Sequence, residues 1–251
     1  MNPLILFDNR FADAVPAASA TASGYDVRHI ADGRPYTFWQ GDGPGTFYLS
    51  VNCGAAKAAD ALGIVGHNLG TAGATISVES SGNGQDWTER LAGFSPSDDL
   101  AILKTFPQAS DLHWRLKIVT TAAAPRLGVV MLGVGLQFPF PPDTPYTPFT
   151  EDVEAETELS QAGHALGTVI RYRPVRVTAR FSHLARNWVF GDFQAFWETH
   201  AAERRYFFWA WDLDEFPADV FYLRHRGAWR TPLSLLAVAD SVALEMEGVR
   251  A

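Results

Sequence analysis

Between residues 45 and 136 the chain alternates apolar and polar positions with a period of two, the pattern of strands that bury one face. "FYLSVNCG" sets Phe47, Leu49, Val51 and Cys53 against Tyr48, Ser50 and Asn52. "ATISVESS" sets Ile76 and Val78 against Thr75, Ser77 and Glu79, and "HWRLKIV" sets Trp114, Leu116 and Ile118 against Arg115 and Lys117. The clusters "GDGPG", "GTAGA" and "SGNGQD" separate these runs and supply residues that tolerate φ > 0. Short strands at this spacing predict a β-sandwich or jelly roll, with no helix of useful length among them.

The pattern changes after residues 138–149, "FPFPPDTPYTPF", where five prolines fall in twelve residues. Proline fixes φ and lacks the amide donor, so this run is expected to be extended and to lie outside any sheet. It predicts a boundary, with a first domain over 1–137, a linker over 138–149 and a second domain over 150–251. In the second part "PVRVTARF" alternates Val175, Val177, Ala179 and Phe181 against polar residues, and "DSVALEMEG" alternates Val242, Leu244 and Met246. Between them, Phe190, Phe193, Phe196, Trp197 and Ala201 fall on one helical stripe. Asp192 in the first turn and Arg204 and Arg205 in the last suit the helix dipole, which predicts a helix around 190–204. "YFFWAWD" and "DVFYLRH" read as strands around the turn "LDEFPA". The expected fold is mainly β: an N-terminal β-sandwich jelly roll, then a C-terminal β domain with one packed α-helix.

Composition narrows the function. The chain has 251 residues, a net charge of −8 and 47% apolar residues, enough for buried cores and unsuited to coating nucleic acid. Residues 1–170 carry 9 basic and 18 acidic side chains, residues 171–251 carry 11 and 10, and every basic residue of the latter stretch is arginine. Arginine makes planar, bidentate contacts with carboxylates. A single cysteine, Cys53, excludes an internal disulfide and a cysteine-based zinc site. The N-terminus lacks a basic leader and a cleavage pattern, so no signal peptide is expected, and no run approaches the ~18 apolar residues that span a bilayer. Synthesis in the cytoplasm without membrane insertion follows as an expectation.

Catalytic patterns are missing: there is no G-x-S-x-G, P-loop or H-E-x-x-H. The seven histidines have no paired metal-ligand spacing, and carboxylate pairs such as Asp98-Asp99 and Asp212-Asp214 sit in polar or turn-like segments. The chain is therefore expected not to be an enzyme and to need no cofactor, although catalytic groups can converge from distant loops and a hydrolase stays open. "GIVGHNLG", residues 63–70, interrupts an apolar run with glycines and a His-Asn pair. Either His67 and Asn68 shape the turn, with Gly70 in the αL conformation, or they form a polar contact surface.

Two resemblances add to this reading. Asp32-Gly33, Trp39, Gly54, Ser81-Gly82-Asn83-Gly84 with Trp87, and Trp114-Arg115 occur in an order that resembles the galactose-binding-like, discoidin-type jelly roll over about residues 15–137. Phe196-Trp197, the run Phe207 to Asp212, Pro217 and Val220-Phe221-Tyr222 look like the C-terminal domain of siphophage distal or minor tail proteins over about 150–250. "GHNLG" likewise resembles a recurring feature of jelly rolls in phage tail proteins. These resemblances imply a structural component of a phage tail tip or baseplate, located in the virion. Its expected partners are further copies in a ring, other tail-tip proteins and a host surface glycan. The alternative is a carbohydrate-binding module or receptor-binding accessory protein. Candidate glycan or partner contacts are Arg34, Trp39, His67 and Asn68. Candidate ring contacts are Trp209, Trp211, Arg224 and Arg226. Asp32, with Asp42 nearby, is a weak candidate for a cation.

Overall fold

The computed structural model describes residues 2–230, 233–234, 238–239 and 242–249. The chain is mainly β, 47% strand and 11% helix, with antiparallel sheets and one helix of 16 residues. It divides into two compact units, one of residues 1–138 with 207–220, the other of residues 139–206 with 221–250. No helix among the described residues is long and apolar enough to cross a membrane.

The first unit is organised by two long strands. Thr46–Val65 runs antiparallel to Ile102–Val119, from Thr46 opposite Val119 to Ile64 opposite Ile102. The register slips between Asn52 and Lys57, where Gly54 has φ +71°, and again between Ala59 and Ala61. These slips bend the strand. Its first part and its second part thereby join different neighbours: Ala61–Val65 also pairs with Val129–Gly133. On the other side of Ile102–Val119 lies Thr75–Ser81, followed by Thr88–Phe94. The alternation read from sequence holds over residues 47–51 and 114–118. Phe47, Leu49, Val51, Trp114, Leu116, Ile118, Ile76 and Val78 are buried in one cluster with Trp39, Ile64, Leu69 and Leu132. Each wholly buried aliphatic or aromatic side chain of this kind stabilises the fold by about 1.5–3 kcal/mol relative to exposure. Thr75–Ser81 departs from the pattern, because Ser77 and Glu79 are buried too. The Glu79 carboxylate is paired there with Arg115, whose guanidinium lies over the Trp87 ring.

Also in this unit, Leu4–Leu6 pairs with Gly135–Gln137 on one side and with Phe208–Ala210 on the other. Phe207, Phe208, Trp209 and Ala210 are all buried, so this strand is covered on both faces.

In the second unit Val175–Phe181 pairs along its length with Val242–Gly248, placing Val177 opposite Met246 and Ala179 opposite Leu244. Val220–His225 flanks the latter, and Thr150–Glu151 flanks the former only at Arg176 and Val175. The proline-rich segment lies along this sheet. Asp143 donates its amide to the Arg180 carbonyl (2.7 Å), and its carboxylate accepts from the Ser182 amide and hydroxyl.

The helix covers Arg186–Ala201, four residues earlier at its start than the sequence stripe suggests and three earlier at its end. It passes through two π segments, Val189–Phe193 and Trp197–Ala201. Their wider turns rotate the buried face to Val189, Phe193, Phe196 and Ala201 and turn Phe190 outward, 43% exposed. Glu154–Leu159 and Ala165–Tyr172 form a two-stranded hairpin of their own.

Candidate functional site

The "GIVGHNLG" segment ends the Thr46–Val65 strand and forms the floor beneath a group of loops. Gly66 is the glycine there with positive φ (+69°), and a Cβ on it would meet the Pro35 carbonyl at 2.6 Å. Gly70 is not in the αL region expected of it. It is glycine because the Asp98 backbone approaches within 2.4 Å of where a Cβ would sit. Both positions exclude a larger residue on steric grounds.

His67 and Asn68 belong to this floor. His67 is buried, with its Nδ1 accepting from the Leu69 amide (3.2 Å) and its Nε2–H donating to the Leu100 carbonyl (2.8 Å). Burial pushes its pKa below the ordinary histidine value, against the opposing pull of the Leu100 carbonyl. The ring is thus a neutral spacer between two backbone segments, and a surface contact through it is corrected. Asn68 accepts from the Arg126 amide (2.7 Å) and donates to the Ala124 carbonyl (3.0 Å). Its amide side chain is spent on holding the loop that carries Arg126.

Trp39 is also corrected. It is wholly buried, edge-on to Phe47 at 5.6 Å, with its indole donating to the Thr21 hydroxyl (3.0 Å). No ligand reaches either ring face.

Arg34 remains at the surface, and the structure gives it neighbours the sequence reading did not select. Arg34, Tyr36 and Phe38 come from one turn closed by the Thr37 amide on the Arg34 carbonyl (3.3 Å). Asp32 shapes that turn. One of its oxygens accepts from the Arg34 amide (2.8 Å) and the other from the Thr37 hydroxyl (2.7 Å). Asp32 is thereby a turn residue. Among the described residues no group of three or more histidine, cysteine, aspartate or glutamate side chains is placed to hold a metal ion.

Tyr36 is 75% exposed. Phe38 stacks on Tyr25 (centroids 5.0 Å apart, 22° between planes), and the Arg126 guanidinium lies over its ring at 5.0 Å. Among the described residues neither Arg34 nor Arg126 has an acidic partner within 4 Å. Asp26 caps the short helix Val27–Ala31 beside this group, and its hydrogen bonds with the Arg28 side chain and amide hold its carboxyl down to about 2. The loops thus present an exposed phenol ring, a stacked aromatic pair and two guanidinium groups. A flat ligand with apolar C–H faces and peripheral hydroxyls or a carboxylate suits such a surface: rings take the faces, and planar cations orient the edges. The signal in the sequence was "GRPYTFW", where arginine and aromatic residues alternate around a proline.

The other selected residues lie elsewhere. Trp209 is buried against Phe138 (5.9 Å), with its indole N–H lacking a partner among the described residues, so it offers nothing to a neighbouring chain. Trp211 stacks on Phe216 (4.5 Å) and donates to Asp219 (3.3 Å). Arg224 and Arg226, in the second unit, clamp the two oxygens of Glu247 at 2.9 and 3.0 Å.

No family model matches the chain, and no curated protein is similar to it. Among solved structures, the chain is similar to carbohydrate-binding modules. Chitosan-binding module 1 of a chitosanase/glucanase from Paenibacillus sp. IK-5 is 19% identical over 50% of this chain and 98% of that one, with a TM-score of 0.43. A pectin-binding carbohydrate-binding module is 19% identical over 51% and 94%, with a TM-score of 0.43. CpGH89CBM32-5 from Clostridium perfringens, in complex with GalNAc-β-1,3-galactose, is 10% identical over 51% and 99%, with a TM-score of 0.44.

Proposed function

We propose that the first unit is a non-catalytic carbohydrate-binding module whose contact surface is formed by Arg34, Tyr36, Phe38 and Arg126. The observation that carries this reading is the exposed Tyr36 ring, set in one turn with Arg34 and two residues before Phe38, over which Arg126 lies. Tyr36 supplies the stacking face, the arginines take hydroxyl or carboxylate oxygens, and Asn68 holds the loop that carries Arg126. A preorganised surface of this kind gains affinity by losing little side-chain entropy on binding. Calorimetric titration with chitosan oligosaccharides, pectin fragments and GalNAc-β-1,3-galactose tests the reading. The expected result is binding to one of these classes that Tyr36→Ala removes while Arg115→Lys leaves it in place. Absence of binding to all three, or equal affinity in Tyr36→Ala, counts against it.

A second reading is a structural component of a phage tail tip in which copies of the second unit assemble and the first unit faces a host glycan. One observation favours it: every residue of the Glu154–Leu159 and Ala165–Tyr172 strands is exposed. An isolated two-stranded ribbon with this much apolar surface is marginal in water. The two readings are compatible within one protein.

A further inference from the structure

We propose that this hairpin is an arm by which one copy of the chain grips the next, with its acidic strand lying over an arginine-lined cleft of the neighbour. The inference deepens the assembly reading and rests on it.

The register of the hairpin separates two faces. Thr157 stands opposite Thr168 with their hydroxyls 3.0 Å apart, and Ala155 stands opposite Ile170. Leu159 joins that face by alternation along its strand, whereas Tyr172 stands opposite Glu154, beyond a register slip. Leu159, Leu166, Ile170 and Tyr172 are 52–69% exposed. The opposite face carries Glu154, Glu156 and Glu158, with the exposed Val169 opposite Glu156 and Arg171 paired with the Glu156 carboxylate.

The same unit holds a cleft of about 510 Å³ where residues 143–150 cross the outer face of Val175–Phe181. Its lining takes Arg176, Thr178 and Arg180 from the strand and Thr144, Tyr146 and Thr147 from the proline-rich segment. Arg176 is paired with Asp152 at 2.6 Å, both side chains being about half exposed. Arg180 is exposed and has no acidic partner within 4 Å among the described residues.

The spacings correspond. Arg176 and Arg180 are four residues apart on one strand face, about 13 Å at the rise of a β-strand, and Glu154 and Glu158 are separated in the same way. An acidic strand laid along the cleft therefore meets both guanidinium groups at once, the geometry in which arginine–carboxylate pairs are strongest. The hairpin and the cleft are different surfaces, so the contact is heterologous and repeats from copy to copy. In a closed series each arm lies between two bodies, which also covers its apolar face.

Light scattering and sedimentation of the full chain across a range of concentrations provide the test. The wild type is expected to assemble. Glu154→Arg with Glu158→Arg, and separately Arg176→Glu with Arg180→Glu, are expected to weaken assembly by roughly tenfold or more. Combining all four reversals is expected to restore it. Circular dichroism serves as the check on folding, and the changed positions are at the surface. An assembly indifferent to both reversals, or not restored by their combination, overturns this contact and leaves the assembly reading standing. A wild type that is monomeric at every concentration overturns both.

Discussion

Two arginines of the first unit sit over aromatic rings and have different fates. Arg115 lies 3.9 Å from the Trp87 ring and 4.4 Å from the Tyr48 ring, and its edge binds the Glu79 carboxylate at 2.5 Å. Two rings and a carboxylate occupy its guanidinium inside the molecule. Arg126 covers Phe38 on one side, and no carboxylate lies within 4 Å of it among the described residues. Arg34 and the Tyr36 ring are open to solvent. The chemistry is the same in both places. What separates a structural staple from a recognition surface is how many of the bonding directions are already filled.

Four experiments bear on this contrast, in order of expected effect. Trp39→Ala removes a wholly buried ring from the core and is expected to cost about 3–5 kcal/mol in chemical denaturation. A cost below 1 kcal/mol would place Trp39 on the ligand side of the comparison. Arg115→Ala leaves Glu79 buried without its cation and is expected to cost about 1–3 kcal/mol. Arg115→Lys keeps the charge and loses the planar stack, so it should fall between wild type and alanine. If neither variant changes stability, Arg115 is not a staple.

Acidification acts on the floor. Burial depresses the pKa of His67 in the first unit and of His225 in the second, where the ring meets Trp197 edge-on at 4.8 Å. A histidine whose folded pKa is lowered binds its proton more readily when unfolded. Stability is therefore complete above the ordinary value of about 6.5 and declines as pH falls toward the depressed folded value. The slope contributed by each histidine reaches at most about 1.4 kcal/mol per pH unit. His67→Gln should flatten the decline followed by thermal melts between pH 7 and 5, and an unchanged slope would remove His67 from this role. Tyr36→Ala has the smallest expected effect on folding, within about 0.5 kcal/mol, since the ring is mostly in water. Its effect is expected in binding alone.

Much of the fold could be read from the chain because period-two alternation is a direct consequence of strand geometry. Phe47, Leu49 and Val51, and Val175, Val177 and Ala179, are buried as their spacing implies. The helix boundaries shifted because π turns change the residues per turn, and local sequence gives no clear sign of them. The site was only partly legible. Trp39, His67 and Asn68 were singled out as chemically capable residues, yet the first two are buried and the third is consumed by backbone partners. Burial of that kind depends on contacts such as His67 with Leu100, 33 residues away. The place of Arg126 over Phe38 is not legible locally, because Asn68 ties down the loop that carries Arg126 58 residues further along.

The most direct measurement is the affinity of one responding glycan for three forms of the protein: wild type, Tyr36→Ala and Arg115→Lys. The expected result is a loss of roughly tenfold or more in Tyr36→Ala with wild-type folding stability, and wild-type affinity in Arg115→Lys despite its lower stability. Undiminished binding by Tyr36→Ala, or loss confined to Arg115→Lys, would contradict the assignment of the open aromatic–arginine surface as the place of recognition.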